Sequence, residues 1–473
     1  MVFSSIAFLL YFLPAFLLTY YLADKKYKNL VILFFSVFFY SWGAPKFIFV
    51  ILGTTFVDFH VVRWMSQTED VFRRRILLTL SVSLNLGLLA YFKYSNFFIE
   101  NVNEVLSVFG DKNITWTKVV LPIGISFFTF ETITYVVDVY RRVHKPLNNF
   151  WDYQLYIILF PKLIAGPIVR YHDLADQITD RSANENIDNR LIGFYRFSIG
   201  LAKKTLIANP LGMHADAIFS LNYAELDSGT AWFGILAYTF QIYFDFSGYS
   251  DMAIGMAKMV GFRFPENFNN PYISKGITEF WRRWHMTLGS WMRNYLYIPL
   301  GGNRVSKSRA YFNLWFVFLV SGFWHGASWN FVIWGAYHGI FLVLERLFLQ
   351  KVYDQIGTFF TTIFTFLVVV VGWVFFRIEN LGDAYRFCKR LFAFDFGKPL
   401  HFDSEFYTFF TLAVFFSFFA YFKIGQKIQN AIYSDFYNTK KHISVTAVSI
   451  GLFILSVSSI STLNFNPFIY FRF

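Results

Sequence analysis

Long apolar segments recur from one end of this chain to the other, and they restrict its fold more than any other feature of the sequence. Each segment is about 20 residues long, the length that an α-helix needs to cross the hydrocarbon core of a bilayer. Only 15% of the 473 residues are charged, whereas a soluble domain carries about 25%. The sequence lacks the alternation, in units of about ten residues, that marks a transmembrane β-barrel. It therefore predicts an all-α polytopic membrane protein.

We expect about eleven transmembrane helices in one integral-membrane domain, residues 1–473. The expected spans are 3–23, 29–43, 47–62, 76–98, 119–139, 191–208, 231–246, 314–339, 359–376, 406–422 and 443–460. The first span has no basic segment before it and no small-residue cleavage site. We therefore interpret it as a retained helix rather than as a signal peptide.

Basic residues are concentrated in loops that, with these spans, lie on one side of the membrane. The clusters at 25–28, 73–75 and 141–145 are examples, and the positive-inside rule makes this side cytoplasmic. Both termini then lie outside, and so does the basic loop 377–398, against the same rule. We attribute the net charge of +12 to loops that face anionic membrane lipids or an anionic cytoplasmic donor, and we expect no nucleic acid as a partner.

Two segments do not fit a simple spanning helix. Between residues 153 and 170, Pro161, Gly166 and Pro167 interrupt helical hydrogen bonding, which favours a re-entrant or half-buried element over the alternative of one kinked helix. Residues 245–303 mix aromatic, charged, Gly and Pro residues. For them we expect amphipathic cytoplasmic helices that lie against the membrane or dip into it.

The apolar stretch 314–339 contains His325 near its middle. Ionisable side chains at bilayer depth are costly and mark functional sites, so His325 is a candidate catalytic base. Gly326 has no side chain to block a substrate, and His338 follows about 140° away if the helix is unbroken. A purely structural histidine is the alternative. We expect no metal, because there is no HExxH motif and the lone Cys388 excludes a cysteine cluster.

Two further groups of residues could bind a donor. Asp245, Ser247 and Asp251 lie in the otherwise apolar segment 241–255, and an ion pair of these aspartates with Arg282 or Arg283 is the structural alternative.

The second group is the segment 281–285, in which tryptophans flank Arg282 and Arg283. Arginines can bind phosphates through two hydrogen bonds, and tryptophans such as Trp284 can stack on an adenine ring. The alternative is an aromatic and basic belt at the membrane interface.

These segments together resemble the membrane-bound O-acyltransferase family. The resemblance rests on FDFSGYSDMAIG, NFNNPYISKGITEFWRRWHMTLGSWMRNYLYIPLGGNR, FWHGASWNFVIWGAYHG and FPKLIAGPIVRY. It covers nearly the whole chain, is most specific between residues 245 and 339, and is closest to the bacterial branch that O-acetylates cell-envelope polysaccharides. The fold it implies is the multi-helix bundle of that family.

The resemblance implies that His325, which follows Trp324 in the Trp-His-Gly segment, is the catalytic histidine. His285 takes the position of the second polar residue of the family, an asparagine in eukaryotic relatives. Acetyl-CoA is the implied donor, reached from the cytoplasm across the bacterial inner membrane. An extracytoplasmic partner of the SGNH-hydrolase type is expected to complete transfer to the polysaccharide.

The C-terminal segment 464–473 resembles a terminal aromatic and tyrosine motif of related envelope acylation systems. We expect the Tyr470 hydroxyl to accept the acetyl group and present it to the extracytoplasmic partner. An aromatic anchor at the outer interface is the alternative.

Other functions remain open on the sequence alone. A secondary transporter or flippase could use Asp245 and the histidines as a proton relay, and a lipid or protein acyltransferase would belong to the same family. P-loop, GxGxxG, GxSxG and HExxH motifs are absent. The high Phe and Lys content of the sequence favours peptidoglycan over alginate as the final acceptor, but both acceptors stay open.

Overall fold

The regular secondary structure of this protein is helical throughout the part of the chain that is described. A computed structural model describes residues 1–110, 113–397 and 402–462. The helices of the first half are α1 Leu13–Leu22, α2 Lys28–Gly43, α3 Ile48–Gln67, α4 Val71–Leu89, α5 Ser95–Val108, α6 Ile125–Tyr140, α7 Phe150–Ile158, α8 Phe160–Leu163, α9 Tyr171–Thr179, α10 Ile187–Ala202 and α11 Asn209–Phe219.

The second half has the same character. Its helices are α12 Ser228–Met259, α13 Ile277–Arg283, α14 Met286–Trp291, α15 Lys307–His325, α16 Trp329–Leu344, α17 Gln350–Ile356, α18 Thr358–Arg377, α19 Leu381–Leu391, α20 Ser404–Phe418, α21 Lys423–Ile432 and α22 Thr439–Thr462. Wider π-helical turns join several of them, among them Ala90–Tyr94 between α4 and α5, and Lys203–Ala208 between α10 and α11.

Six helical segments are long and apolar enough to cross a membrane, which makes this a multi-pass membrane protein. They are Ile48–Gln67, Val71–Val108, Trp329–Ile356, Thr358–Arg377, Ser404–Tyr421 and Thr439–Thr462. The apolar helix Ala7–Leu22 is shorter. The predicted number of eleven spans is therefore not confirmed, because other expected spans are interrupted, short or rich in polar residues.

The longest helix, α12, extends further along the chain than the sequence predicts. A span was expected at 231–246, followed by a change to amphipathic helices, yet α12 continues without a break to Met259. Its polar side chains do not end it, because cations of the neighbouring segment neutralise them inside the bundle. The predicted short helices begin only after this point, with α13 and α14.

Helices α10 and α12 pack antiparallel at unusually close range. A Cβ atom added to Gly193 would lie 2.6 Å from the Gly255 carbonyl oxygen, and one added to Gly200 would lie 2.5 Å from the Gly248 carbonyl oxygen. Small residues at such crossings let helix backbones approach in a membrane, where burial of apolar surface gives little driving force. The two glycine pairs therefore define the register of α12 against α10.

The segment 153–170 is a broken element, as its prolines predicted. Helix α7 ends at Ile158, α8 ends at Leu163, and residues from Tyr153 to Leu163 are fully buried. Lys162 forms a buried ion pair with Glu131 of α6. The protein interior therefore satisfies the polar groups of a segment that could not lie in lipid.

Candidate active site

The stretch that carries His325 is a helical hairpin rather than one helix. His325 is the last residue of α15, Gly326 is extended, and α16 begins at Trp329. The arms cross at Gly322 and Gly335, where added Cβ atoms would lie 2.2 Å from the Phe331 carbonyl oxygen and 2.4 Å from the Phe318 carbonyl oxygen. The hairpin turn thus places His325 at a helix end inside the protein.

The space beside Gly326 is filled by the protein itself. A Cβ atom at this position would lie 2.1 Å from the ring of Phe331. The expectation that Gly326 leaves room for a substrate is therefore wrong. This glycine allows the turn between α15 and α16 to pack against an aromatic ring of its own hairpin.

Aromatic side chains enclose His325, which is 6% exposed. Its imidazole lies 4.9 Å from the ring of Trp324, 5.2 Å from that of Trp334 and 5.3 Å from that of Phe376, measured between ring centroids. Phe376 belongs to α18, so a third helix closes the site. Such surroundings exclude water from the imidazole.

His285 is held by a hydrogen-bond network that fixes its tautomer. Its Nδ1 lies 3.0 Å from Asn267 Oδ1. Asn267 donates through Nδ2 to Ser250, and its Oδ1 accepts from Thr287 Oγ1 at 2.9 Å, so the oxygen is the atom facing the histidine. Nδ1 of His285 therefore carries the proton, and Nε2 keeps its lone pair.

The same residue has an unusual backbone conformation. His285 has φ 46° and ψ 53°, in the left-handed region, and stands immediately before α14. Its side chain is buried, and Nε2 has no hydrogen-bond partner among the described residues. Conformations of this kind persist where the surrounding structure enforces them, often at functional sites.

The structure brings the two histidines to one place. The His285 imidazole lies 6.4 Å from the ring of Trp324, which also contacts His325. Phe246 of α12 packs edge-on against His285 at 4.7 Å, so the three predicted segments meet here.

His338 lies on the other arm of the hairpin and contacts the same aromatic cluster. Its ring is 5.2 Å from that of Trp334 and 4.9 Å from that of Trp281. In the described part of the chain, no three His, Cys, Asp or Glu side chains are grouped so that they could hold a metal ion.

The aspartates of α12 pair with the segment after α10 and with α10 itself. Asp245 contacts Lys204 at 2.6 Å, and Asp251 contacts Lys203 at 2.7 Å. Arg196 is a second partner of Asp251, at 2.7 Å. The alternative that these aspartates pair with Arg282 or Arg283 is therefore wrong, since nearer cations neutralise them.

The remaining predicted donor-binding residues have different surroundings. The side chain of Arg282 is exposed and makes no hydrogen bond or ion pair with a described residue, whereas Arg283 is paired with Glu279 at 2.7 Å. Trp284 is buried, with its ring 4.9 Å from that of Trp373. Ser247 is buried in α12, and its hydroxyl has no partner among the described residues.

An aromatic stack leads away from the histidines. Phe130 of α6 is stacked between Trp324 and Trp291, at 5.1 Å and 3.7 Å, and Trp291 contacts Tyr295. The stack fixes the wall of the site on the side of α6.

A polar cluster lies where this stack ends. The Tyr295 hydroxyl donates to Asp138 at 2.7 Å, and His172 of α9 lies 2.7 Å from the other oxygen of the same carboxylate. The hydrogen bond to Asp138 raises the pKa of His172. The cluster thereby ties α6, α9 and the turn after α14 together.

Sequence reasoning missed several residues of the site. Asn267, which orients His285, is the first residue of the segment NFNN; this segment is part of the family resemblance, but nothing in it shows that the Asn267 side chain contacts a histidine. Lys93 could have been found, because it interrupts an apolar stretch as His325 does, and it contacts the backbone of Trp324 and His325.

Tyr470 and the rest of the segment 464–473 lie outside the described residues. The proposed contact between Tyr470 and His325 therefore stays a prediction.

Comparison with known proteins gives the family of this chain. The profile of the membrane-bound O-acyltransferase family matches residues 2–381. A probable alginate O-acetylase of Pseudomonas aeruginosa is 46% identical over 395 residues, 83% of this chain and 75% of the relative. A peptidoglycan O-acetyltransferase of Helicobacter pylori is 36% identical over 438 residues, 86% of this chain and 82% of the relative.

A more distant relative is the teichoic acid D-alanyltransferase of Bacillus subtilis, 30% identical over 240 residues, which are 48% of this chain and 59% of the relative. The match of the family profile includes the hairpin, both histidines and α18. The chain therefore belongs to the membrane-bound O-acyltransferase family and is an acyl-transferring enzyme.

Proposed function

We propose that this enzyme takes acetyl groups from cytoplasmic acetyl-CoA and passes them across the inner membrane for O-acetylation of an envelope polysaccharide. The observation that carries the proposal is the meeting of His325 and His285 at Trp324 in a buried, aromatic site. Relatives named for acetylation of alginate and peptidoglycan support the choice of group and acceptor class.

In this proposal His325 is the base. Its imidazole removes the proton from an acceptor hydroxyl, the hydroxyl oxygen attacks the thioester carbonyl carbon, and the carbon–sulfur bond breaks. The proton then passes from the imidazolium to the leaving thiolate, so the products are an acetyl ester and the free thiol. Histidine suits both steps because its unperturbed pKa is near neutrality.

His285 is assigned to the same reaction as a hydrogen-bond acceptor. Asn267 holds the proton of His285 on Nδ1, which leaves a lone pair on Nε2 in the site. We assign this lone pair to the imidazolium of His325, whose positive charge it would stabilise. This second role explains why a histidine is held in a left-handed backbone conformation just before α14.

We assign donor binding to two groups of residues near the histidines. Arg282, exposed and unpaired among the described residues, is assigned to the donor phosphates, with Arg283 beside it. Trp324, Asp245 and Ser247 are assigned to the reactive end of the donor. Trp284 packs in the core against Trp373, so its contribution to donor binding is to hold Arg282 and Arg283, the last residues of α13, in position.

The last step of the proposal involves the C-terminal tail and a partner. The Tyr470 hydroxyl is the acceptor at His325, and the resulting acetyl-tyrosine is presented to an extracytoplasmic SGNH-hydrolase-type partner. The positive-inside rule, applied to the basic loops, supports this step because it predicts that both termini lie outside. This partner transfers the acetyl group to the polysaccharide.

The transporter alternative loses its main support. A proton relay through Asp245 would have to break its ion pair with Lys204, since the buried carboxylate lies 2.6 Å from the lysine ammonium group. Membership of an acyltransferase family favours chemistry at the histidines instead.

The proposal is tested in cells. A strain that lacks this gene should lose ester-linked acetate from one envelope polysaccharide, and the wild-type gene should restore it. Genes carrying His325→Gln or Tyr470→Phe should fail to restore it, and comparison of peptidoglycan with alginate identifies the acceptor. Full restoration of polysaccharide acetate by His325→Gln would reject the assigned base.

A further inference from the structure

Lys93, which belongs to a different membrane helix, caps the C-terminal end of the helix that carries His325. Nζ of Lys93 lies 2.5 Å from the Trp324 carbonyl oxygen and 3.2 Å from the His325 carbonyl oxygen. The next residue along the chain, Tyr94, donates from its hydroxyl to the Phe323 carbonyl oxygen at 3.0 Å. Two consecutive side chains thus bind the last three carbonyl groups of α15.

These carbonyl groups need partners. The last four carbonyl groups of an α-helix have no intrahelical donor, and the negative end of the helix dipole lies there. An ammonium group satisfies both requirements. The π-helical turn Ala90–Tyr94 carries both side chains, and turns of this kind are frequent at functional sites.

Lys93 lies in a segment where a charge is costly. It belongs to the membrane-spanning segment Val71–Val108 and forms no ion pair with a carboxylate of the described residues. Its partners are the two carbonyl groups, the Ser126 hydroxyl at 3.3 Å and the face of Trp324, whose centroid is 5.7 Å away. An ionisable side chain held at such cost marks a functional position.

The bonding pattern also limits what Lys93 can do. An ammonium group has three donors, and two carbonyl oxygens and one hydroxyl account for all of them. No donor remains for a substrate oxygen. Lys93 can therefore affect the reaction only by holding the backbone of Trp324 and His325 in place.

We infer that Lys93 is a positioning residue: it fixes the end of α15 and thereby the place of the His325 imidazole. The inference rests on the proposed function of His325. The hairpin turn begins directly after His325, so without this cap the last helical turn can fray. A shift of about 1 Å in a reacting group can cost about a hundredfold in rate.

The test uses the purified full-length enzyme with acetyl-CoA and compares Lys93→Met, Lys93→Arg and Lys46→Met. Lys46 is an exposed lysine between α2 and α3 and serves as the matched control. We expect Lys93→Met to lower kcat by about a hundredfold with little change in KM, because donor contacts are intact. Lys93→Arg keeps the cation and should recover at least about a tenth of the wild-type kcat. Wild-type kcat in Lys93→Met, or equal losses in Lys93→Met and Lys93→Arg, would overturn the inference.

A second readout separates this inference from the proposed function. In Lys93→Met, backbone amides of residues 322–330 should exchange hydrogen with deuterated water faster than in the wild type, whereas Lys46→Met should leave them unchanged. Unchanged exchange in Lys93→Met contradicts a positioning role whatever the reaction is. If exchange increases while His325→Gln keeps full turnover, the proposed function fails and the cap at α15 stands.

Discussion

At the scale of single residues, hydrogen bonds decide which atoms of the site can react. The His285 ring has one nitrogen committed to Asn267 and one with a free lone pair among the described residues. Asn267 in turn is fixed by Ser250 and Thr287. Thr287 also accepts from the Ile168 backbone amide at 3.0 Å, which links His285 to the broken segment after α8.

Replacing Asn267 tests this network. In Asn267→Ala the His285 ring loses the partner that selects its tautomer, so we expect kcat to fall by about 10- to 100-fold. Asn269→Ala is the matched control, because Asn269 is exposed in the same loop. Steady-state release of free CoA measures both variants. Equal activity of the two would show that the tautomer of His285 has no part in catalysis.

The sequence singled out the candidate reactive residues but not the residues that support them. Both histidines stood out, since one interrupts an apolar segment and the other lies in a segment of known resemblance. Asn267 lies in the same segment as His285, but its role did not follow from the sequence, because it depends on a contact between residues 18 positions apart in the chain. Lys93 contacts His325 across 232 positions, a distance that no local pattern encodes.

At the scale of helices, glycines and ion pairs together hold α12 against α10. The close backbone approach at Gly200 and Gly248 brings Lys203 and Lys204 to the aspartates of α12. Helix boundaries such as those of α2 and α18 followed from apolar length. The continuation of α12 to Met259 did not, because it depends on charges supplied by another segment.

The glycine contact can be tested by adding one methyl group. In Gly200→Ala the new Cβ meets the Gly248 carbonyl oxygen at 2.5 Å, so α10 and α12 must separate. We expect a destabilisation of about 1–3 kcal/mol, seen as a lower thermal melting midpoint in detergent. Gly53→Ala in α3 has open space around its Cβ and should not lower the midpoint. Identical midpoints for both variants would contradict the close packing of α10 on α12.

The contact between α9 and α6 should depend on pH. The bond to Asp138 raises the pKa of His172 in the folded protein, so its stabilising effect is complete below the ordinary pKa of histidine and is lost as pH rises through the raised value. We expect His172→Gln to lower the melting midpoint at about pH 5.5 and to have a smaller effect at about pH 8.5. His60→Gln, in α3, is the control. A larger effect of His172→Gln at the higher pH would contradict the proposed contact.

At the scale of the whole molecule, the site is assembled from segments that are far apart in the sequence. Helices α12, α15, α16 and α18 and the segment around His285 supply its walls, and α6 and the π-helical turn after α4 support it from the side. The sequence predicted that three of these segments carry the chemistry. It did not predict that α18 and Lys93 lie at the site, because packing between distant helices brings them there.

The tail connects the site to the proposed partner. We expect Tyr470→Phe to abolish polysaccharide acetylation in cells, because phenylalanine has no hydroxyl to carry the acetyl group. The same result is expected on removal of the last six residues, 468–473. Tyr407→Phe, at an exposed tyrosine of α20, controls for the loss of a hydroxyl elsewhere. Full polysaccharide acetylation after removal of residues 468–473 would exclude the relay.

The central claim is that His325 is the base of an acetyl transfer from acetyl-CoA, and purified enzyme tests it most directly. The measurement is release of free CoA from acetyl-CoA by the wild type, His325→Gln and the control His60→Gln, with melting midpoints recorded for all three. We expect the rate of His325→Gln to fall by about 10²–10⁴-fold at an unchanged midpoint, while His60→Gln keeps the wild-type rate. Wild-type release of CoA by folded His325→Gln would contradict the claim.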